Sequence, residues 1–162
     1  MAKIVSYDKE LFDKLCIGVG KLANAVSVTL GPRGRNVILQ KRKGEPIITK
    51  DGVTVAEFFS EADPIENAGS LIVKQASRKT NMMAGDGTTT ATVLANELLQ
   101  RGRAYIHNYP PVELKKGIEK CLKAVLAQID RTAIPITSLE QIQQIATISA
   151  NNDSVIGDLI ST

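Results

Sequence analysis

The sequence predicts a mainly α-helical fold that carries one small β-hairpin. Apolar residues recur every three or four positions over most of the chain, which is the spacing of one helix face. Two short β-type runs, at residues 36–40 and 47–49, flank a turn and lie after the first helical segment. The 162 residues are 43% hydrophobic and 23% charged, a globular composition that excludes bulk disorder.

The first predicted helix spans residues 8–28 and ends near Gly31 and Pro32, because glycine and proline break helices. Further helices are predicted at residues 53–59, 65–83, 88–106 and 112–129, each with apolar residues at helical spacing. Ser138 with Gln141 three residues later has the spacing of a capping box, so another helix follows Ser138.

The domain organisation is predicted from a change in helix length. Long helices precede residues 131–137 and short ones follow, so we place domains at residues 1–131 and 132–162. Residues 151–162 begin a helix without a capping glycine or a polar tail. The sequence therefore leads us to expect a truncated second domain.

Charge and composition exclude several classes of function. The formal net charge is +3, too small to indicate a nucleic-acid partner. No apolar stretch approaches the ~18 residues that a membrane helix needs, and the charged first residues do not resemble a signal peptide. Cys16 and Cys121 share no metal-binding spacing, so we expect two reduced, largely buried thiols.

Gly18 and Gly20 match a loose Gly-x-Gly-x-x-Ala pattern with Ala23. That fingerprint of dinucleotide binding needs a strand before the glycines, and here they lie inside an uninterrupted helical period. We therefore interpret both glycines as sites of close helix packing.

A stronger motif is Gly85-Asp-Gly-Thr-Thr-Thr90, which directly precedes an apolar helix. Glycines allow a ligand close to the backbone, and a helix start offers N–H groups and a partial positive charge to an anion such as a phosphate. A carboxylate beside phosphates needs an intervening cation, which makes Asp86 a candidate ligand of Mg²⁺. An ordinary N-cap after a glycine turn explains part of the same pattern, and both interpretations stay open.

Two further loops have residues that suit a nucleotide site. Residues 29–36 form a helix-end loop with two glycines, and residues 49–52 form a turn with a second carboxylate, Asp51. A site on a helical scaffold needs such convergent loops for backbone contacts, metal binding and orientation of water. Three unrelated turns would show the same residues, since spacing alone does not establish that they meet.

Four segments closely resemble the group I chaperonin large subunit, the GroEL type. They are residues 28–37 (VTLGPRGRNV), 49–55 (TKDGVTV), 84–94 (AGDGTTTATVL) and 147–151 (TISAN). The resemblance covers essentially the whole chain and implies a helical equatorial ATP-binding domain followed by the start of an intermediate domain. It also implies a cytoplasmic or organellar subunit of stacked rings that folds client proteins with ATP, Mg²⁺, K⁺ and a GroES-type co-chaperonin.

The resemblance further implies roles for individual residues. Asp51 would position the attacking water, Asp86 would bind Mg²⁺, and Lys50 would lie near the phosphates and a monovalent cation. Ile148 would pack beside the nucleotide. The remaining nucleotide contacts would be Thr29, Leu30, Gly31, Pro32, Gly87, Thr88, Thr89 and Thr90.

The chain also departs from the family. A complete member is over three times longer, so a second catalytic aspartate and the client-binding domain would lie beyond residue 162, and we expect the isolated chain to be inactive. The pairs Met82-Met83 and Phe58-Phe59 replace smaller or more polar residues, and we predict that both are core. One alternative is a stand-alone interaction module without ATPase activity. Another is a metabolic enzyme, for which the sequence offers no acceptor site.

Overall fold

The computed structural model describes Val5 and residues 7–41, 43–150 and 152–162. These residues form two compact units, one ending at Arg101 and the other beginning at Gly102. Each unit has its own helices. The predicted domain boundary near residue 131 is a different division and stays a prediction.

The first unit contains four helices and a two-stranded antiparallel hairpin. Val37 pairs with Thr49 and Leu39 pairs with Ile47 in the hairpin. The elements are α1 (Asp8–Ser27), β1 (Val37–Leu39), β2 (Ile47–Thr49), α2 (Gly52–Phe58), α3 (Pro64–Ala84) and α4 (Thr88–Gly102). The predicted class, mainly helical with a small hairpin, is therefore confirmed.

The helices α1 and α3 cross at backbone contact. A Cβ atom added to Gly18 would overlap the backbone carbonyl of Glu66, and one added to Gly69 would lie 2.9 Å from Leu15 Cα. The Ser70 hydroxyl donates a hydrogen bond to the Gly18 carbonyl over 3.0 Å. This contact confirms the predicted close packing at Gly18. At Gly20 an added Cβ would meet only side-chain atoms of α4, 3.6 Å away or farther.

The core of the first unit lies where α1, α2, α3 and β1 meet, and Ala95 and Leu99 of α4 pack against it. Burial of these aliphatic side chains drives the assembly, at roughly 25 cal/mol per Å² of apolar surface. The fully or nearly fully buried members are Val19, Leu22, Val26, Leu39, Val55, Ala56 and Val73.

The two unusual pairs of apolar residues lie in different surroundings. Phe59 packs against the core as predicted, whereas the prediction for Phe58 was wrong, because Phe58 is 36% exposed. The prediction for Met82 and Met83 was wrong, because their side chains are 87% and 78% exposed. The buried residues of α3 are Gly69, Ser70, Val73, Lys74 and Ser77, so both methionines lie beyond the part of the helix that packs against the core.

Ion pairs fasten α1 to the segment that begins α3. Lys14 Nζ lies 2.9 Å from Asp63 Oδ2, and Lys21 Nζ pairs with both Glu61 and Glu66. Asp63 is also the N-cap of α3. Its Oδ1 accepts hydrogen bonds from the backbone N–H groups of Ile65 and Glu66. Asp63 therefore caps α3 and also pairs with Lys14 of α1.

The pKa of Asp63 provides a test of this pair. The Lys14 ammonium, helped by the two capping N–H groups, holds the pKa of Asp63 below its usual value of 3.8. The stabilisation is thus complete above about pH 3.8 and is lost as the pH falls through the lower folded-state pKa. We expect Lys14→Met to move the NMR titration midpoint of Asp63 upward, and Lys9→Met, an exposed lysine of α1, to leave it in place. An unchanged midpoint in Lys14→Met would show that the pair contributes nothing.

The second unit contains α5 (Pro111–Thr132), α6 (Leu139–Ser149) and α7 (Ser154–Ser161). Ser138 and Gln141 form the predicted capping box at the start of α6. Helices α6 and α7 pack together where Gly157 faces Thr147 too closely for a Cβ atom. Five apolar residues of α5 remain about half exposed: Ile118, Leu122, Val125, Leu126 and Ile129.

Two further predictions need correction. Helix α4 ends at Gly102, four residues before the predicted end, because a glycine and then consecutive turns interrupt the helical period. Cys16 is buried as predicted, but Cys121 is exposed because α5 buries none of its described residues. Within the described part of the chain, no helix is long and apolar enough to cross a membrane.

Candidate functional site

Three loops of the first unit meet at Gly52. A Cβ atom added to Gly52 would overlap the Thr89 hydroxyl and would lie 3.3 Å from the Thr29 hydroxyl. Gly52 is the first residue of α2, Thr29 follows the end of α1, and Thr89 lies in the first turn of α4. The loops that the sequence offered as parts of one site are therefore in direct contact.

The loop after α1 is closed by its own hydrogen bonds. The Thr29 hydroxyl and the Thr29 N–H both donate to the Val26 carbonyl, over 2.7 and 3.0 Å, and Thr29 is buried. Gly31 has a φ of 75°, a conformation that favours glycine. The Arg35 N–H donates to the Val28 carbonyl over 2.7 Å, which folds the loop back onto the helix end. Leu30, Gly31 and Pro32 lie exposed on this rigid loop.

Asp51 is the N-cap of α2 and accepts three hydrogen bonds. Its donors are the Val53 N–H at 3.1 Å, the Thr54 N–H at 2.9 Å and the Thr54 hydroxyl at 2.6 Å. Partial burial raises the pKa of Asp51, but these donors outweigh it and the net pKa lies below the usual value. The carboxylate is therefore held ionised and in a fixed orientation, and its neighbour Lys50 is partly buried.

The glycine-rich segment forms the turn between α3 and α4. Gly85 and Gly87 have φ values of 72° and 81°, and the Gly85 N–H closes α3 by donating to the Asn81 carbonyl. Asp86 accepts a 2.6 Å hydrogen bond from the Gly87 N–H, and its side chain is at the surface. These two left-handed glycines direct the chain into the first turn of α4.

The start of α4 brings three threonines to this turn. Thr88 is buried, Thr89 is partly buried against Gly52, and Thr90 is exposed. The Thr88 carbonyl accepts a hydrogen bond from the Thr92 hydroxyl, and the Gly87 carbonyl accepts one from the Ala91 N–H. The first N–H groups of a helix have no intrahelical acceptor, so this end of α4 presents donors and a partial positive charge.

The residues around Gly52 fit a phosphate with a bound Mg²⁺. An added Cβ at Gly31 or Gly85 would meet none of the described atoms within 4 Å, so open space lies beside both backbones. Among the described residues, no three His, Cys, Asp or Glu side chains cluster as a metal cage. Mg²⁺ at phosphates needs only one or two protein carboxylates, and the Asp86 side chain lies at the surface in the turn before α4.

Ile148 is the one predicted site residue that lies in the second unit. It is on α6, and its side chain is 68% exposed. Its predicted contact with the nucleotide stays a prediction.

Sequence reasoning did not identify Gly52 as a site residue, although it is the point of contact for the three loops. A glycine directly after an N-capping aspartate was the available signal, since the first helical position does not require glycine. Lys74 was also missed. It is 5% exposed, and an apolar helix face with one lysine was the only indication.

Comparison with solved structures gives two informative matches. The chain is 27% identical to the chaperonin gp146 from bacteriophage EL (Pseudomonas aeruginosa), crystallised in the presence of ATP-BeFx, with a TM-score of 0.79. It is 28% identical to a group III chaperonin in the open state, with a TM-score of 0.75. Each match covers 94% of this chain but only 27% and 31% of those proteins, so the chain spans less than a third of their length.

A family model also matches most of the chain. The model of the TCP-1/cpn60 chaperonin family matches residues 22–161, which include the loop after α1, the start of α2 and the turn before α4. This range is well over half of the chain and contains the predicted site residues of both units. The chain therefore belongs to the TCP-1/cpn60 chaperonin family.

Proposed function

We propose that this chain carries the nucleotide-binding part of a chaperonin subunit that binds and hydrolyses ATP. The observation that supports the proposal is the contact of Gly52 with Thr29 and Thr89, which joins three loops with phosphate-binding and metal-binding chemistry. Sequence spacing alone allowed these to be three unrelated turns. Their contact makes a shared ligand the simplest explanation of their residues.

In the proposed site the start of α4 binds the phosphates. Gly87 to Thr90 surround the phosphates, the backbone N–H groups of Thr88 to Thr90 and the threonine hydroxyls donate to phosphate oxygens, and the helix end supplies a partial positive charge. Thr29, Leu30, Gly31 and Pro32 contact the nucleotide from the loop after α1. Lys50 lies near the phosphates and a K⁺ ion, and Ile148 packs beside the nucleotide.

Mg²⁺ fits this arrangement through Asp86. When bound, it would neutralise phosphate charge and polarise the bond that is cleaved. The Asp86 carboxylate is anchored by the Gly87 N–H, which fixes the position of one oxygen relative to the start of α4. A metal held between this carboxylate and the phosphates would also remove the repulsion between them.

Asp51 has the properties needed to orient a water molecule. A carboxylate has about four acceptor positions. The Val53 N–H and the Thr54 N–H and hydroxyl use three of them, so one remains. Since the pKa of Asp51 is below its usual value, the group is a negatively charged acceptor at neutral pH. Asp51 would hold the attacking water rather than bind the metal.

The relatives support the wider function. The bacteriophage EL chaperonin was crystallised in the presence of ATP-BeFx, and its match covers 94% of this chain. By extension we propose that the natural protein forms rings of identical subunits in the cytoplasm, folds client proteins and uses a GroES-type co-chaperonin. Its assignment to group I rests on the four motifs of the sequence and is part of the same proposal.

Gly52→Ala tests whether the three loops form one binding site. The added methyl group overlaps the Thr89 hydroxyl and lies 3.1 Å from Thr89 Cβ, so Thr89 must shift away from the start of α2. We expect the affinity for Mg-ATP, measured by isothermal titration calorimetry on the protein in its natural length, to fall by about 10-fold or more, since one lost hydrogen bond to a charged phosphate costs about 1.5–3 kcal/mol and about 1.4 kcal/mol is a factor of ten.

Gly117→Ala is the matched control, because an added Cβ there meets no described atom within 4 Å. It should bind Mg-ATP as the natural protein does. Failure of the natural protein to bind Mg-ATP would refute the proposed function. Equal binding by natural protein and Gly52→Ala would show that the contact at Gly52 is not part of the site.

A further inference from the structure

Helix α2 is held at its C-terminal end by two basic side chains of α3. Lys74 Nζ donates hydrogen bonds to the carbonyls of Glu57, over 3.2 Å, and Phe59, over 2.5 Å. One turn later on α3, Arg78 donates two hydrogen bonds to the Glu57 carboxylate, from Nε over 2.6 Å and from Nη2 over 2.5 Å. We call Lys74 and Arg78 the α2 clamp.

The chemistry of the α2 clamp matches what a helix end requires. The last carbonyls of a helix lack intrahelical donors and carry a partial negative charge, which cations stabilise. Lys74 is only 5% exposed. Lysine is almost never buried unless its charged group has partners, and here the two carbonyls are those partners. Burial lowers the pKa of Lys74, and the negative charge of Glu57 opposes that effect. A buried ammonium at this position is costly, so its two carbonyl partners indicate a specific role.

Helix α2 is short, so a shift of its C-terminal end should also move its N-terminal end. Its seven residues span about 10 Å, a length at which an isolated helix is not stable in water. Val55 and Ala56 fix its middle in the core, Asp51 caps its first turn, and the α2 clamp fixes its last turn. A change in the clamp should therefore tilt α2 and move Asp51.

We propose that Lys74, together with Arg78, positions Asp51 for ATP hydrolysis by holding the opposite end of α2. This inference rests on the proposed function and adds two positioning residues to it. The described hydrogen bonds of Lys74 and Arg78 go to the C-terminal end of α2 and not to the predicted phosphate-binding turn. We therefore expect the clamp to change the rate of hydrolysis, through Asp51, more than it changes the affinity for the nucleotide. The position of the water, rather than the binding of ATP, is what the clamp determines.

The test compares hydrolysis with binding in the protein of natural length. We expect Lys74→Met, which keeps the apolar stem, to lower kcat for ATP by about 10- to 100-fold per folded subunit. The dissociation constant of Mg-ATP should change less than about threefold, since Thr88–Thr90 and Gly31 are untouched. A purely structural role would reduce the folded fraction without changing kcat per folded subunit. Lys79→Met, an exposed lysine of α3, is the control and should retain both values.

A double-mutant cycle with Asp51→Asn separates the possible results. If Lys74 acts through Asp51, adding Lys74→Met to Asp51→Asn should lower kcat no further. An equal loss in both backgrounds would overturn the positioning role and leave the proposed function intact. A natural rate of hydrolysis in Asp51→Asn would refute the role of Asp51 and the positioning role of Lys74 with it, and would leave the proposed binding and hydrolysis of ATP intact.

Arg78→Met provides a second variant in case Lys74→Met does not fold. Arg78 is 55% exposed at its side chain, so its removal leaves the core intact. We expect kcat to fall by about threefold or more with Mg-ATP affinity retained. An unchanged kcat in folded Arg78→Met would overturn the clamp.

Discussion

Asp86→Asn is expected to lower the affinity for Mg-ATP by about 100-fold or more. Loss of even an indirect contact to a metal ligand lowers metal affinity by about 10- to 100-fold, and Asp86 is proposed as a direct ligand. Asparagine keeps an oxygen that can accept the hydrogen bond from the Gly87 N–H, so the turn before α4 stays intact. The variant therefore removes the negative charge and keeps an acceptor for this hydrogen bond.

The metal dependence of binding is the decisive measurement. Calorimetry with ATP should show strong binding by the natural protein in Mg²⁺ and weak binding in EDTA, whereas Asp86→Asn should bind weakly in both. Glu97→Gln is the matched control, because Glu97 is an exposed carboxylate farther along α4 that pairs with Arg101. Asp86→Asn that still gains affinity from Mg²⁺ to the natural extent would remove Asp86 from the metal site.

Gly18→Ala is expected to destabilise the first unit by about 3 kcal/mol or more. The added methyl group overlaps the backbone carbonyl of Glu66, and neither helix backbone can move without separating α1 from α3. Overpacking of a core costs about 1–3 kcal/mol when side chains can adjust, and here the obstacle is backbone. For a chain of this size, the melting temperature should fall by roughly 6–12 °C.

Gly20→Ala is the matched control for this variant. It lies two residues away on the same helix, and its added Cβ would meet side-chain atoms at ordinary contact distances. Since alanine is favoured over glycine in a helix by about 1 kcal/mol, Gly20→Ala should melt at or above the natural temperature. Equal melting temperatures for the two variants would contradict the crossing described here.

The sequence predicted the helices well because periodicity and capping are local. The pattern of apolar residues in α1 and the Ser138–Gln141 capping box depend on neighbours three or four residues away, and both predictions are confirmed. The end of α4 was placed too late because Tyr105 and Ile106 continue the apolar spacing beyond Gly102. Periodicity cannot distinguish a helix that continues from apolar residues in the turns that follow it.

Burial was harder to predict because it depends on which face meets a partner. Met82, Met83 and Cys121 have apolar character, yet all three are exposed. Lys74 has the opposite character and is buried, because the carbonyls at the end of α2 satisfy its charge. The polarity of these side chains therefore did not predict their burial, because burial depends on whether another element covers that face of the helix.

The site shows the same limit. The residue types of its loops were readable from the sequence, and spacing could not establish that they meet. Their contact depends on the missing side chain at Gly52, which allows Thr29 and Thr89 to approach the start of α2. The position of Asp51 as a capping residue with three donors was likewise not evident before the structure.

The contact of Thr29, Gly52 and Thr89 also sets an order of events during synthesis on the ribosome. Helix α1 and the hairpin consist of local interactions and can form as soon as they leave the exit tunnel. The contact at Gly52 cannot form until the first turn of α4 has emerged, because Thr89 lies in that turn. Closure of the long intervening segment carries an entropic cost that local elements avoid. A nascent chain should consequently acquire helical structure well before the proposed nucleotide site is complete.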